Sequence, residues 1–330
     1  MLRGYSRGMA VAHPGANADG AGKTTTMLSH TYSYEECLHN SLKVAWKEED
    51  VLKNRDFDYS KRFLPNRLAG VDEIACLDED EKRKLNQIIG NAYCHIFAFV
   101  EEFIVPQTLQ EAQRDVYGEE VRLRALLRFA EEEIKHQQMF RRSMATFAKG
   151  FGTACGVIPG REDVARIVLG KSRLCSLLLT SMIEWFTQRH YVEHVRAEEQ
   201  LDELFRDLIK YHWIDEATHA KLDSLVINEI VGPLSLEQRE RAVDELLELG
   251  GAIDGLLAQQ ADLDIESLQR ATRRTFADHE RAEIKRSIQR GYRWTFLVSG
   301  LTHPTFARIV GELTEQGPRR IAAAAEALSV

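Results

Sequence analysis

Two segments of this chain, Glu133-Ile-Lys-His136 and Glu216-Ala-Thr-His219, each set a carboxylate and an imidazole three residues apart in strongly helical sequence. At that spacing both side chains leave one face of a helix, less than a turn apart. Two such pairs, joined by one Glu from each of two further helices, form the inward-facing ligand cage of a dinuclear metal site in a four-helix bundle. The duplication therefore points at a dinuclear metal site inside such a bundle.

The rest of the chain is compatible with that demand. Its 330 residues, 44% of them hydrophobic, suffice for one large core. A net charge of -8 argues against nucleic-acid binding, and Arg270-Ala-Thr-Arg273-Arg274 reads as a solvated helix face. Five cysteines without a Cys-x-x-Cys pair suit a reduced, cytoplasmic setting. No uninterrupted apolar run reaches the roughly 18 residues of a membrane span; the nearest is Leu174 to Phe186. Residues 1–33 read as a disordered segment without a signal-peptide core. Its Gly20-Ala-Gly22-Lys23-Thr24 imitates a phosphate-binding loop, but Asn17 stands where that motif needs its first Gly, and no apolar strand precedes it.

From Asp78 onward apolar residues recur at helical spacing and strand signals are almost absent, so the fold class is all-α. The sequence predicts one domain over 34–330, with a bundle core at about 78–230. Its helices are expected near 78–105, with Pro106 as a break or kink, 119–149, 162–196 with a break near Gly170, and 199–230. Further helices are expected near 235–260, 265–289 and 303–313, packed outside the bundle. Residues 34–75 read as an irregular arm with short helices. The aromatic stretch Tyr292, Trp294 and Phe296 either packs in the core or lines an access route.

Burial then selects the ligands. Glu133 and His136 share a face with Phe129, Phe140 and Phe147, where a bare carboxylate is costly unless paired or bound to a cation. Glu184 is the only charge between Leu174 and Phe186. His212, Glu216 and His219 stand at i, i+4 and i+7, flanked by Phe205, Ile209 and Val226. The helix at 78–105 offers Glu101 or Glu102; Glu101, between Phe97 and Ile104, is preferred. Glu101, Glu133, Glu184 and Glu216 carry four negative charges, enough for two divalent ions, and neutral His136, His212 and His219 complete the shells. Mixed carboxylate and imidazole donors suit iron or manganese. Asp215 and Glu132 are placed to accept the second ring N–H of His136 and His219, respectively.

On these residues, and above all on His212-Trp-Ile-Asp215-Glu216-Ala-Thr-His219, the chain resembles the ferritin-like di-iron oxygenases of the p-aminobenzoate N-oxygenase type. The extra His ahead of the last Glu is the distinguishing mark. The resemblance covers about Asp78 to Ile230. It implies a ferritin-like four-helix bundle with added C-terminal helices, and a monooxygenase in which two Fe ions, or a Mn/Fe pair, activate O2. Glu101, Glu133, His136, Glu184, His212, Glu216 and His219 would be the metal ligands. A small organic substrate, an aryl amine among known members, would be hydroxylated or N-oxygenated. Lacking a flavin, nicotinamide or iron–sulfur motif, the chain would draw electrons from an external ferredoxin or reductase. Neither nucleic acid nor membrane is expected as a partner, and a homodimer stays open. The alternative reading is a ferroxidase or peroxide-scavenging metal protein.

Overall fold

A computed structural model describes residues 32–330; the expected disordered segment and the Gly20–Thr24 stretch fall almost entirely outside them. Among the described residues every regular element is helical. The arm consists of α1 (Tyr34–Val44), α2 (Glu48–Leu52) and α3 (Asn66–Ala69). Four long helices follow in pairs: α4 (Glu79–Gln113) with α5 (Glu120–Gly150), and α7 (Arg173–Arg189) with α8 (Glu203–Val231); α6 (Arg161–Leu169) connects the pairs.

Local chemistry sets the helix starts. Asp78 accepts from the Glu81 N–H at 2.9 Å while the Glu81 carboxylate accepts from the Asp78 N–H, a reciprocal cap that opens α4. Ser172 and Asp202 cap α7 and α8 in the simpler way. The four long helices enclose the polar cluster described below, with α5 meeting α8 across it, while α1 lies over both. A single hydrophobic core runs from Tyr34 in α1 to Ala325 near the C-terminus.

Several boundaries differ from expectation. Pro106 does not end α4, which continues to Gln113; burial of Ile104, Gln107 and Thr108 outweighs the roughly 3 kcal/mol that an internal proline costs. The break at Gly170 separates α6 from α7, and α7 passes into a π-helical turn, His190–Val195. The expected gap between 260 and 265 is bridged by α9 (Leu236–Thr272). Its poor helix formers are held from outside: Tyr292 Oη donates to Asp264 at 2.5 Å, and Lys285 pairs with Asp262 at 2.7 Å. The chain breaks instead at Arg273, which takes a left-handed φ of 56°. After it come α10 (Asp278–Arg293), a second π-helical turn (Trp294–Val298), α11 (Ser299–Leu301) and α12 (Pro304–Leu313); α13 (Gly317–Leu328) extends the structure beyond the last expected helix.

Two features of α4 and α10 bear on the interior. One window of α4 is long and apolar enough to cross a membrane, closer to a span than Leu174–Phe186, but 78% of it is buried inside the fold. The aromatic stretch at the end of α10 and just beyond it is buried at Tyr292, Trp294 and Phe296. There the two π-helical turns meet, His190 Nε2 lying 3.0 Å from the Thr295 carbonyl oxygen. That oxygen can only accept, so Nε2 carries the proton, and Nδ1 accepts from Tyr93 Oη at 3.2 Å.

Candidate metal centre

Glu101 from α4, Glu133 and His136 from α5, Glu184 from α7, and His212, Glu216 and His219 from α8 are all buried in the middle of the helix pairs. Helical phase decides between the adjacent acids of α4. Glu101 turns inward, and Glu102 turns outward to pair with Arg141.

The donor atoms fall into two overlapping groups, each within 4.8 Å: Glu101, His136, His212 and Glu216, and Glu133, His136, Glu216 and His219. Glu216 sits between them. Its Oε1 lies 2.7 Å from His212 Nε2 and 3.1 Å from His136 Nδ1, and its Oε2 lies 3.0 Å from His219 Nδ1. Glu101 Oε1 is 2.9 Å from His212 Nε2, and Glu133 Oε1 is 2.8 Å from His219 Nδ1. Glu184 belongs to neither group and hydrogen-bonds to Glu216 instead.

The outer ring nitrogens are fixed. His136 Nε2 lies 3.0 Å from Asp215 Oδ2, and His219 Nε2 lies 3.0 Å from Glu132 Oε2, the two pairs named from the sequence. An ionised carboxylate only accepts, so each Nε2 holds a proton and each Nδ1 is left facing the cluster. Both carboxylates are themselves anchored. Lys135 Nζ is 2.6 Å from Asp215 Oδ2; Ser41 Oγ donates to Glu132 Oε1 at 2.6 Å, and Arg128 stands 3.1 Å from the same oxygen. Sequence reasoning missed Lys135, Ser41 and Arg128. Only Arg128 had a local signal, its i,i+4 spacing to Glu132.

Aromatic rings wall the cluster. Phe129 stacks on His219 with centroids 3.9 Å apart, Trp46 lies parallel to His136 at 5.9 Å, and Phe97 and Phe140 meet His212 edge-on at 4.8 and 5.0 Å. The cluster is thereby buried and charge is strongly felt. Burial pushes Glu101 up to about 7 against the pull of His212, and burial with the neighbouring Glu216 pushes Glu184 well above the carboxylate range. Glu216 moves the other way: burial opposes ionisation, but His212 and His219 hold it well below the ordinary value. His136 resists burial through Asp215 and Glu216 and rises to about 10.

A cation suits this arrangement better than protons do. Glu133 Oε1 and Oε2, Glu101 Oε2, Glu184 Oε2 and His136 Nδ1 have no hydrogen-bond partner although they are buried. Such atoms are rare in folded proteins. Glu133 Oε1 and His136 Nδ1 also stand at 2.8–3.1 Å from neighbouring donor atoms without the alignment of a hydrogen bond. Oxygen and imidazole nitrogen atoms converging at that range could hold a metal ion. Compared with models of known protein families and with curated proteins, the chain matches none.

Proposed function

We propose that the protein is a ferritin-like di-iron oxygenase whose four-helix bundle is made by α4, α5, α7 and α8. The observation that carries this reading is the third imidazole: His212 joins Glu101 and Glu216 at 2.9 and 2.7 Å, adding to the two Glu-x-x-His pairs. That is the feature on which the resemblance to the p-aminobenzoate N-oxygenase type rests.

Two ions are favoured over one by the count of lone pairs. Glu216 has an oxygen for each group and would bridge, but His136 Nδ1 has one lone pair and would serve only one. The group that loses it needs another donor, and Glu184, hydrogen-bonded to Glu216, is the buried carboxylate at hand. Glu101, Glu133, Glu184 and Glu216 together would balance two divalent ions, Fe/Fe or Mn/Fe. When bound, the pair supplies the redox chemistry that side chains lack, reduction of O2 and transfer of an oxygen atom to a small organic substrate. The chain's own groups would set the stage. Asp215 and Glu132 keep the Nε2 protons in place, so that His136 and His219 present neutral lone pairs inward. Phe97, Phe129, Phe140 and Trp46 keep bulk water away. Electrons would come from an external ferredoxin or reductase in the cytoplasm.

Anaerobic iron loading followed by elemental analysis tests the site; about two Fe or Mn per chain is expected, and no tightly held metal would sink the reading. Oxygen uptake that tracks an added organic substrate is expected of an oxygenase. Uptake that tracks ferrous iron alone would favour a ferroxidase.

A further inference from the structure

An apolar cavity of about 350 Å³ lies between α4, α6, α7 and α9. The cavity opens to solvent past Asp163 and Ile167, both exposed, and such an apolar recess suits an organic occupant that can enter from outside. Its volume falls within the range of small-molecule sites.

The cavity borders the candidate centre. Val100 of α4 and Ile183 of α7 line it, each adjacent in sequence to a proposed ligand, Glu101 and Glu184. A helix advances about 100° per residue, so neighbouring side chains face adjoining interior spaces. Phe186 and Phe296 close the cavity on the inner side, and each ring centroid is 6.1 Å from that of Phe97. Phe97 in turn meets His212 at 4.8 Å. Two rings in succession, Phe186 or Phe296 and then Phe97, separate the cavity from His212.

The charge of the lining is equally informative. Among the described lining residues the one charged side chain is Asp163, exposed at the rim and paired with Arg166. Among the described lining residues there is no Lys, Arg or His. A carboxylate or phosphate entering it would lose its hydration without gaining a partner.

We propose that this cavity is the substrate pocket of the metal centre and that it takes an uncharged, apolar organic molecule, alkyl or aryl, rather than an acid such as an aminobenzoate. The assignment of substrate rests on the oxygenase reading; the affinity of the cavity for neutral apolar molecules does not. The test uses the full metal-loaded chain and the neutral fluorophore N-phenyl-1-naphthylamine. Its emission should rise on binding, and decan-1-ol should displace it at least about tenfold more effectively than decanoate. Val164→Trp and Ile253→Trp, which fill the cavity from α6 and α9, should each weaken binding by about tenfold or more, leaving metal content and helical circular dichroism unchanged. Decanoate displacing as well as decan-1-ol, or wild-type affinity in both variants, would overturn the proposal. Occupancy should also perturb the visible spectrum of the cobalt-substituted protein; a silent spectrum with normal probe binding would overturn the link to the centre. Normal probe binding in a chain that takes up no metal would instead refute the oxygenase reading and leave the pocket standing.

Discussion

Asp215→Asn separates two things that this carboxylate does at once. Its Oδ2 is 3.0 Å from His136 Nε2 and 2.6 Å from Lys135 Nζ, and Lys135 is only 7% exposed. The near-isosteric amide removes the charge from both contacts. Loss of a carboxylate that orients a ligand imidazole lowers metal affinity by about 10- to 100-fold, or roughly 1.4–2.7 kcal/mol. Stranding a buried cation costs about 3–5 kcal/mol of folding stability. The low end applies, because Lys135 keeps its position 4.0 Å above the Trp46 ring.

Adding Lys135→Met removes the stranded charge. The double variant should recover stability to within about 1 kcal/mol of wild type, since replacing both partners of a buried pair is near neutral. It should keep the deficit in metal affinity, because His136 still lacks its anion. Chelator competition with Mn²⁺ or Co²⁺ at pH 7 reads the affinity, and urea unfolding of the metal-free protein reads the stability. If Asp215→Asn binds metal like wild type, or if Lys135→Met rescues affinity along with stability, Asp215 balances a charge and does not orient the ring.

His212→Ala should reduce affinity for one ion by about tenfold and depress oxygen uptake further, leaving the group around Glu133 and His219 able to load; loss of all metal by elemental analysis would contradict that. Glu216→Gln, which weakens a donor shared by both groups, should impair loading of both ions in the same assay. Burial holds His190 near 3, below its unfolded value of about 6.5, so the unfolded chain takes up the proton first as pH falls. Stability from this group is present above pH 6.5 and is lost between about 6.5 and 3, by on the order of 5 kcal/mol. His190→Gln should flatten that part of the urea-unfolding profile against pH; an unchanged slope would contradict the neutral tautomer. Gly291→Ala should destabilise by about 1–3 kcal/mol in thermal unfolding, because an added Cβ would stand 3.0 Å from the Ala69 backbone, which cannot retreat as a side chain can.

How much of the site was legible follows from the range over which its causes act. Glu-x-x-His pairs, His212 one turn ahead of Glu216, and the choice of Glu101 over Glu102 are matters of helical phase, and phase is written in local sequence. Lys135 shares a motif with His136, yet its burial was not legible. It is covered because the arm lays Trp46 over it, and that contact joins segments distant in the chain. The continuity of α9 past residue 260 is of the same kind, depending on Tyr292 and Lys285 from α10 to satisfy Asp264 and Asp262. Helix ends were misjudged where tertiary contacts, not caps, decide them.

The run from Leu174 to Phe186 shows what local pattern alone leaves unread. Read alone, it is a buried helix with one carboxylate needing a partner. A helix apolar on every face must, however, be buried on every face, and a bundle core covers only one stripe. In the structure Glu184 turns toward Glu216, while Leu179, Met182, Ile183 and Phe186 turn toward the cavity walled by α6 and α9. The excess of apolar residues over what a single buried stripe requires is thus the sequence trace of this cavity. Shaving that face, for example by Ile183→Ala, should enlarge the cavity and shift its preference toward bulkier neutral molecules, with Glu184 undisturbed in the centre beside it.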